Sequence, residues 1–249
     1  VKTDLSGKEL NFDTKVNPSF VTDIGNNFKG KLWLENTLYN LDGANAVALR
    51  NAMLQVGNDA KVIVANGKGD QHIGGLTFDG GRVEFQNPLS NLELSQPVGD
   101  RANSLIKVDT LDTVNAKGTI SVTLDDMYNT PKGSIDMFKP IIEHDQGKSL
   151  IHIVEAQDYK GISAGDLQLE INYNGKVTGK YDQEHEIIQD IKQGQDVAAK
   201  GYYDYGLELK ENSGLHVTYK LNRLDLQANQ SFILVTNPDS KDTDLSAKV

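Results

Sequence analysis

The stretch Lys61–Gln86 decides the fold class, and it reads KVIVANGKGDQHIGGLTFDGGRVEFQ. Apolar and polar residues alternate in three short segments, Lys61–Ala65, Gly75–Asp79 and Arg82–Gln86. A period of two places the apolar side chains on one face, which is typical of a half-buried β-strand. Corners of Asn, Asp and Gly separate the segments, at Asn66-Gly67 and at Asp79-Gly80-Gly81. The stretch therefore predicts short strands joined by tight turns.

The same alternation recurs along the whole chain. Further examples are Lys31–Glu35, Asn91–Ser95, Thr119–Leu124, Asp166–Ile171, Gly206–Lys210, His216–Leu221 and Phe232–Val235. Asp, Asn and Gly together make up 68 of the 249 residues, whereas only 38% of the residues are hydrophobic. A β-solenoid needs only a thin core, because each turn buries its inward residues against the turns above and below. We therefore predict an all-β solenoid rather than a sandwich or barrel, with roughly ten turns of about 20–25 residues.

Three segments interrupt this rhythm. A loop excursion is expected near residues 125–145, and a short helix near residues 183–199, where four apolar residues cluster. The alternating aromatics of Tyr202–Tyr205 predict a strand that braces its neighbours. No linker rich in Pro, Gly and Ser is present, so residues 1–249 are expected to form a single segment.

Charge and composition exclude several classes of protein. With 25 Lys and Arg against 35 Asp and Glu, the formal net charge is −10, which argues against a nucleic-acid partner. The chain has no Cys and therefore no disulfide, no thiolate nucleophile and no Cys-ligated zinc. Its apolar runs are far shorter than the ~20 residues that span a bilayer. Because the chain begins at Val1 and ends at Val249 inside a strand-like pattern, we expect it to be a piece of a longer protein.

Histidine spacing does not predict a metal site. The five His residues are His72, His144, His152, His185 and His216, and no pair has HExxH or HxH spacing. His144 lies between Glu143 and Asp145, which are suitable ligands for one face of an ion, but a solvated acidic loop is the favoured interpretation. His152 and His216 are expected at the surface. We expect no metal and no cofactor.

Carboxylate pairs are the sequence feature that most favours an enzyme. The densest are Asp125/Asp126 and Asp242/Asp244, and glycosidases hold two carboxylates about 5–10 Å apart around the sugar bond. With 35 acidic residues in the chain, such spacings arise by chance. The chain also contains no G-x-S-x-G and no phosphate-binding glycine motif. We therefore predict no catalytic residues.

Basic residues are scattered, and the nearest to a cluster are Lys29, Lys31 and Arg50. Residues one turn apart stack in a solenoid, which would bring these three side chains near one another. We take them as candidate ligand-binding residues for an acidic polysaccharide, with solvated strand faces as the alternative.

Several phrases resemble a known family. IGNNFKG at Ile24–Gly30 and DQHIGGLTFDGG at Asp70–Gly81 are similar to phrases of large autotransporter passengers. AKGYYDYGL at Ala199–Leu207 and GLHVTYKLNRLDLQ at Gly214–Gln227 follow in a similar order. The order resembles that of the AIDA-type autotransporter adhesins of Gram-negative enterobacteria over roughly residues 20–249, with looser agreement at 132–144 and 183–199.

The resemblance implies a fold, a location and a role. The passenger in that family is a right-handed parallel β-helix, displayed at the cell surface from the outer membrane. The implied partners are a host surface or matrix protein, a glycan, or a second copy of the arm. Membrane contact is expected only through a barrel domain that this chain does not contain. We thus expect a non-catalytic adhesin segment that supports adhesion, aggregation and biofilm formation.

Two alternatives stay open at the level of sequence. One is a carbohydrate-active β-helix enzyme, either a polysaccharide lyase or a hydrolase. The other is a purely structural stalk or folding-assisting spacer, with binding carried by other parts of the protein.

Overall fold

The computed structural model describes residues 2–4, 9–12, 30–41, 49–65, 70–86, 105–114, 117–124, 138–158, 162–178, 185–193, 195–227, 232–234 and 246–248. The described residues form an all-β protein with parallel strands and one short helix, α1 (Lys139–Asp145). The strands of the first half are β1 (Lys2–Asp4), β2 (Glu9–Phe12), β3 (Lys31–Leu34), β4 (Leu38–Leu41), β5 (Leu49–Val56), β6 (Lys61–Val64), β7 (Gln71–Phe78), β8 (Arg82–Gln86), β9 (Ile106–Thr113) and β10 (Gly118–Leu124). Those of the second half are β11 (Ser149–Asp158), β12 (Leu167–Tyr173), β13 (Lys176–Thr178), β14 (His185–Gln193), β15 (Asp196–Lys210), β16 (Gly214–Leu226), β17 (Phe232–Leu234) and β18 (Ser246–Lys248).

The strands belong to two sheets, and the chain alternates between them. Sheet A has the order β1-β2-β3-β5-β7-β9-β11-β16-β15-β14, with β17 paired to β16 and β18 paired to β17. Sheet B has the order β4-β6-β8-β10-β12-β13. From β3 to β12, odd-numbered strands join sheet A and even-numbered strands join sheet B. Neighbours are parallel from β2 to β11 in sheet A and from β4 to β12 in sheet B.

The register of the parallel strands stacks like residues on one another. In sheet A, Leu32, Leu54, Leu76 and Leu111 stand in register on successive strands, and each is completely buried. In sheet B, an equivalent row contains Val62, Val83, Ile120 and Leu169, also completely buried. Each leucine or β-branched side chain thus removes apolar surface from its neighbours above and below, at about 25 cal/mol per Å² buried. These rows supply the thin core that the composition predicts.

The parallel repeats that the structure describes differ in length. Lys31 pairs with Met53 and Met53 pairs with Gly75, so these repeats are 22 residues long, within the expected range. Later repeats are longer, since Gly75 pairs with Thr110 and Ile106 pairs with Val154. The described residues consequently hold five successive pairs of strands, β3/β4 to β11/β12, while the prediction of about ten turns concerns the whole chain and stays a prediction.

The parallel order also ends before the chain does. Strands β14, β15 and β16 pair antiparallel with one another, and β16 pairs antiparallel with β11. A turn over Glu211–Ser213 joins the two longest strands, β15 and β16, which explains how the direction reverses. The antiparallel strands therefore extend sheet A beyond the last parallel strand.

The short helix predicted near residues 183–199 is absent, because β14 and the start of β15 occupy this segment. Ile187 and Ile191 are buried, as a helix would also require, but Gln189 between them faces inward too and is 1% exposed. Its amide oxygen accepts a hydrogen bond from the buried Tyr205 hydroxyl. Because the inward residue Gln189 is polar, the apolar residues of this segment do not recur at every second position. The pattern therefore suggested a helix instead of a strand.

The excursion near residues 125–145 lies partly outside the described residues. Its described end is α1, which contacts β16 and begins with Pro140 in the first turn. The prediction of a strand at Tyr202–Tyr205 is confirmed, because these residues lie in β15. Tyr203 and Tyr205 are buried, and the ring centroid of each lies 6.3–6.4 Å from that of Tyr219 on β16.

Candidate binding groove on sheet A

A groove forms on the outer face of sheet A where the alternation of its strands is interrupted. In β7, Ile73 and Leu76 both face the core, although two residues rather than one separate them. In β9, Val108 and Leu111 repeat this spacing. An extra residue of this kind bends a strand and redirects its outward side chains. The bends of β7 and β9 lie side by side, because these strands are neighbours in sheet A. They form one continuous distortion across the two strands.

Gly74, next to the groove residue Ile73 on β7, packs closely against β5. A Cβ at this position would lie 2.7 Å from the carbonyl oxygen of Ala52 and 3.1 Å from that of Arg50. The backbone of β5 approaches too closely for any side chain, so glycine is required here for space rather than for its φ angle.

The groove has a volume of about 360 Å³, at the small end of the range for ligand sites. Its polar side chains come from four strands: Arg50, Asn51, His72, Lys107, Asp109, Glu155 and Gln157. His72, Lys107 and Glu155 stand directly opposite one another in register on β7, β9 and β11. The parallel pairing therefore converts residues far apart in the sequence into one polar row.

Only one of the charged side chains in the groove has an ion-pair partner among the described residues. The Lys107 ammonium lies 3.5 Å from the Asp70 carboxylate, and both side chains are more than a third exposed. Within the described part of the chain, Arg50, Asp109 and Glu155 form no ion pair. The groove thus presents one guanidinium without a described ion pair beside two carboxylates and two amides, a set that can donate to a carboxylate and accept from hydroxyl groups.

Of the three predicted ligand-binding residues, Lys31 and Arg50 are described and lie at different places along sheet A. Lys29 lies outside the described residues. Lys31 on β3 pairs with Met53, and its ammonium lies 4.9 Å from the centroid of the Trp33 ring. Arg50 lines the groove, three residues before Met53 on β5. The stacking of Lys31 on Arg50 does not form, because Lys31 lies beside a later part of β5.

The expectation of a solvated loop at His144 is wrong, since Asp145 ends helix α1 and is completely buried. One carboxylate oxygen lies 2.6 Å from Nδ1 of His144, and the other accepts a hydrogen bond from the Tyr203 hydroxyl at 2.7 Å. Glu143 instead faces solvent and lies 3.7 Å from Lys139. The two carboxylates therefore do not share an ion.

His216 is also misplaced by the sequence analysis, because it is 3% exposed rather than at the surface. It stacks on the half-buried His152 across β11 and β16. Among the residues that the structure describes, no group of three or more His, Asp or Glu side chains is placed to hold a metal ion. The carboxylate pairs Asp125/Asp126 and Asp242/Asp244 lie outside the described residues, as does the side chain of His185.

Sequence reasoning missed most of the groove. The outward residues of β9 and β11 do alternate with apolar ones, in IKVD at Ile106–Asp109 and VEAQ at Val154–Gln157. That signal marks them as outward-facing strand residues. It does not say which of them meet, because the lengths of the repeats differ and the register cannot be counted from the sequence.

Comparisons with known proteins give relatives but no family. No family model matches the chain, and no solved structure matches it. The chain is 31% identical over 228 residues to the uncharacterized protein YuaQ of Escherichia coli K12, covering 89% of this chain and 16% of YuaQ. It is 27% identical over 246 residues to the uncharacterized lipoprotein YdeK of the same organism, covering 92% of this chain and 17% of YdeK. The chain thus spans about a sixth of the length of these curated relatives.

The fold and the groove of the described residues define the class of protein. It is an all-β protein built from parallel strands, with a polar groove on the outer face of one sheet. Within the described ranges, no helix is long and apolar enough to cross a bilayer.

Proposed function

We propose that this chain is a segment of the surface-displayed passenger of an AIDA-type autotransporter, folded as a right-handed parallel β-helix, and that it acts as a non-catalytic adhesin. The observation that carries the proposal is the alternation of β3–β12 between two sheets with parallel register in both. In a β-helix, each turn contributes one strand to each sheet, so this alternation is what coiling requires. The two relatives support it by their length, since an arm of many repeats is much longer than one segment.

Location at the bacterial surface is the next part of the proposal. One of the two relatives is named a lipoprotein, which favours the cell envelope as the location of this chain as well. An acidic surface favours solubility of an exposed arm, and the chain carries a net charge of −10. The partners we propose are a host surface or matrix protein, a glycan, or another copy of the arm.

Adhesion by such an arm works through avidity. A polar groove about 360 Å³ in volume binds weakly, but many arms on one cell act together and raise the effective affinity. The test is to delete the segment from the full-length protein and to measure bacterial aggregation and matrix binding. Surface display must be quantified with an antibody to another part of the protein. Unchanged aggregation and matrix binding at equal display would refute the adhesin role.

The fold has a test of its own, which is small-angle X-ray scattering of the segment in solution. A coiled stack gives an elongated particle with a cross-section that stays constant along its length. A nearly spherical particle would contradict the β-helix.

A carbohydrate-active enzyme is the second candidate, and the groove is the observation that favours it. Asp109 and Glu155 are two carboxylates near the basic residues Arg50 and Lys107, as a lyase or hydrolase requires. We place binding first because Asp109 is exposed and neither carboxylate is held by a described ion pair, whereas catalytic groups are preorganised by their neighbours. Incubation with uronic-acid polymers distinguishes the two, since a lyase releases unsaturated products and an adhesin releases none.

A structural role remains the third candidate, supported by the antiparallel strands β14–β16. They extend sheet A past its last parallel strand, where an uncovered end would expose core residues. If deletion lowers surface display but leaves adhesion per displayed molecule unchanged, the segment serves as a stalk or folding aid.

A further inference from the structure

We infer that the groove across β5, β7, β9 and β11 binds a sugar ring that carries a carboxylate. This inference deepens the adhesin proposal, because it names the chemical class of ligand that one face of the segment would recognise. It rests on the arrangement of charges in the groove and on the volume of the groove.

The first step is the position of Arg50. Its side chain is exposed, lines the groove and has no ion-pair partner among the described residues. A guanidinium presents its N–H groups as a planar fork that matches the two oxygens of a carboxylate. Lys107, the other permanent cation of the groove, is already opposite Asp70 at 3.5 Å. Arg50 is therefore the cation that is available to a ligand.

The second step excludes the simplest ligands. A small inorganic anion could pair with Arg50 but has no hydroxyl groups to donate to Asp109 and Glu155, so nothing would offset its repulsion by these carboxylates. A neutral sugar would satisfy the carboxylates through its hydroxyls but would not use the guanidinium. A sugar acid does both, because its carboxylate pairs with Arg50 while its hydroxyl groups donate to Asp109, Glu155 and the Gln157 amide oxygen.

The third step is the fit of the groove. The groove volume of about 360 Å³ accommodates a single sugar unit with its substituents rather than a long stretch of polymer. The rim is open, so the unit can belong to a larger glycan that continues outside the groove.

Two natural sources supply this chemistry, namely uronic acids of polysaccharides and sialic acids at the ends of host glycans. The experiment titrates the 15N-labelled segment with trigalacturonic acid and with 3′-sialyllactose, and follows the backbone amides and the Arg50 Nε–Hε group by NMR. The neutral partners are the methyl ester of trigalacturonic acid and lactose, and sodium sulfate tests for a bare anion site. We expect saturable shifts at the groove for at least one sugar acid at about 10 mM or below, consistent with a weak contact.

The variants make the assignment specific. Arg50→Gln should weaken binding of the sugar acid about tenfold or more, because a charge-assisted pair is lost. Lys117→Gln removes the same charge from an exposed position before β10 and should leave binding unchanged. Glu155→Gln should weaken sugar binding and strengthen sulfate binding, since it removes one acceptor and one repulsive charge together. Far-ultraviolet circular dichroism verifies that each variant is folded.

The outcomes either support the inference or overturn it. Binding of one sugar acid but not the other supports it and names the source of the ligand. Equal binding of the methyl ester, sulfate binding as strong as that of the sugar, or binding unaffected by Arg50→Gln would each overturn it. No shift at the groove with either sugar would also overturn it. These results are independent of the cell assays, so the adhesin role and the sugar-acid site can fail separately.

Discussion

The imidazole rings of His152 and His216 stack across β11 and β16, with centroids 4.4 Å apart and planes 10° from parallel. Nε2 of His152 lies 3.1 Å from the carbonyl oxygens of both Val154 and Ser213. A carbonyl oxygen only accepts, so Nε2 carries the hydrogen and donates to both. The contact joins the last parallel strand of sheet A, β11, to the first antiparallel one, β16. It therefore links the parallel and antiparallel parts of the sheet.

Replacing His152 with alanine should destabilise the segment by about 1–3 kcal/mol, because the Val154 and Ser213 carbonyls each lose the Nε2 donor, although Ser213 keeps the Ala156 N–H, and the ring stacked on His216 is removed. The free energy of unfolding is measured by urea denaturation with circular dichroism. His72→Ala is the matched control, since this half-buried strand histidine has no hydrogen bond within the described structure. It should cost no more than about 0.5 kcal/mol. Equal costs for the two variants would show that the stacked pair does not fasten the sheet.

The buried carboxylate of Asp145 leads to a second prediction. Tyr203→Phe keeps the ring but removes the hydroxyl that donates to Asp145 at 2.7 Å. Both residues are completely buried, so the carboxylate loses a donor that water cannot replace, and we expect a cost of about 1–3 kcal/mol. The measurement is again the free energy of unfolding in urea.

Tyr202→Phe provides the control for this change at the neighbouring position. The Tyr202 ring is half-buried and lies beneath the guanidinium of Arg223, whose carbon is 3.8 Å from the ring centroid. Phenylalanine preserves that contact, so the cost should be clearly smaller than for Tyr203→Phe. If Tyr202→Phe is the more damaging change, the hydrogen bond to Asp145 is not an important part of the stability.

The sequence predicted where individual strands lie far better than which strands pair and in which register. Arg82–Gln86 forms β8 with the same bounds, and Lys61–Ala65 contains β6, because alternation of apolar residues is a local property. The Asn174-Gly175 corner is also present, since a two-residue turn needs positive φ at both positions and these residues tolerate it. The registers that place Lys107 beside His72 and Glu155 depend on insertions of unequal length, which no local pattern encodes.

Burial of polar residues was the other failure of the sequence analysis. His216, Gln189 and Asp145 all face the interior and were not recognised as buried, because a polar residue inside a core is decided by its hydrogen-bond partners. Those partners come from strands and a helix far away in the sequence. The candidate site therefore required coordinates, although Arg50 was identified from the sequence as a candidate contact.

The buried Tyr205 predicts loss of stability at alkaline pH. Desolvation raises the pKa of Tyr205 well above its ordinary value near 10, and the neighbouring Tyr219, Asp145 and Tyr173 raise it further. In the unfolded chain, the phenol ionises near pH 10, while in the folded protein it stays protonated. Its contribution to stability is thus complete below pH 10 and is lost as the pH rises above 10 toward the folded pKa.

Tyrosinate absorbance measures this directly. In the folded state, the Tyr205→Phe variant should have one fewer late-titrating phenol than the parent protein. In urea, the variant should have one fewer phenol that titrates near pH 10. The stability of Tyr205→Phe should also fall less steeply above pH 10 than that of the parent. Ordinary titration of Tyr205 in the folded protein would contradict the burial of its hydroxyl.

Substitutions at two glycines with positive φ distinguish the cost of backbone strain from the cost of a steric clash. Gly175, with φ of 78°, has no heavy atom within 4 Å of the position of a Cβ, so Gly175→Ala should cost only the strain of about 1–2 kcal/mol. Gly214, with φ of 125°, is different, because its Cβ would lie 2.0 Å from the carbonyl oxygen of Val154 and 2.9 Å from the nitrogen of Ala156. Gly214→Ala must push β16 away from β11, and we expect a loss of about 3 kcal/mol or more.

Both variants are compared by urea unfolding, with hydrogen exchange of the β11 amides as the second readout. Since Gly214 opens β16 at the junction of the parallel and antiparallel parts, faster exchange in β11 should accompany Gly214→Ala and not Gly175→Ala. Similar exchange in both variants would mean that β16 does not hold the end of the parallel strands.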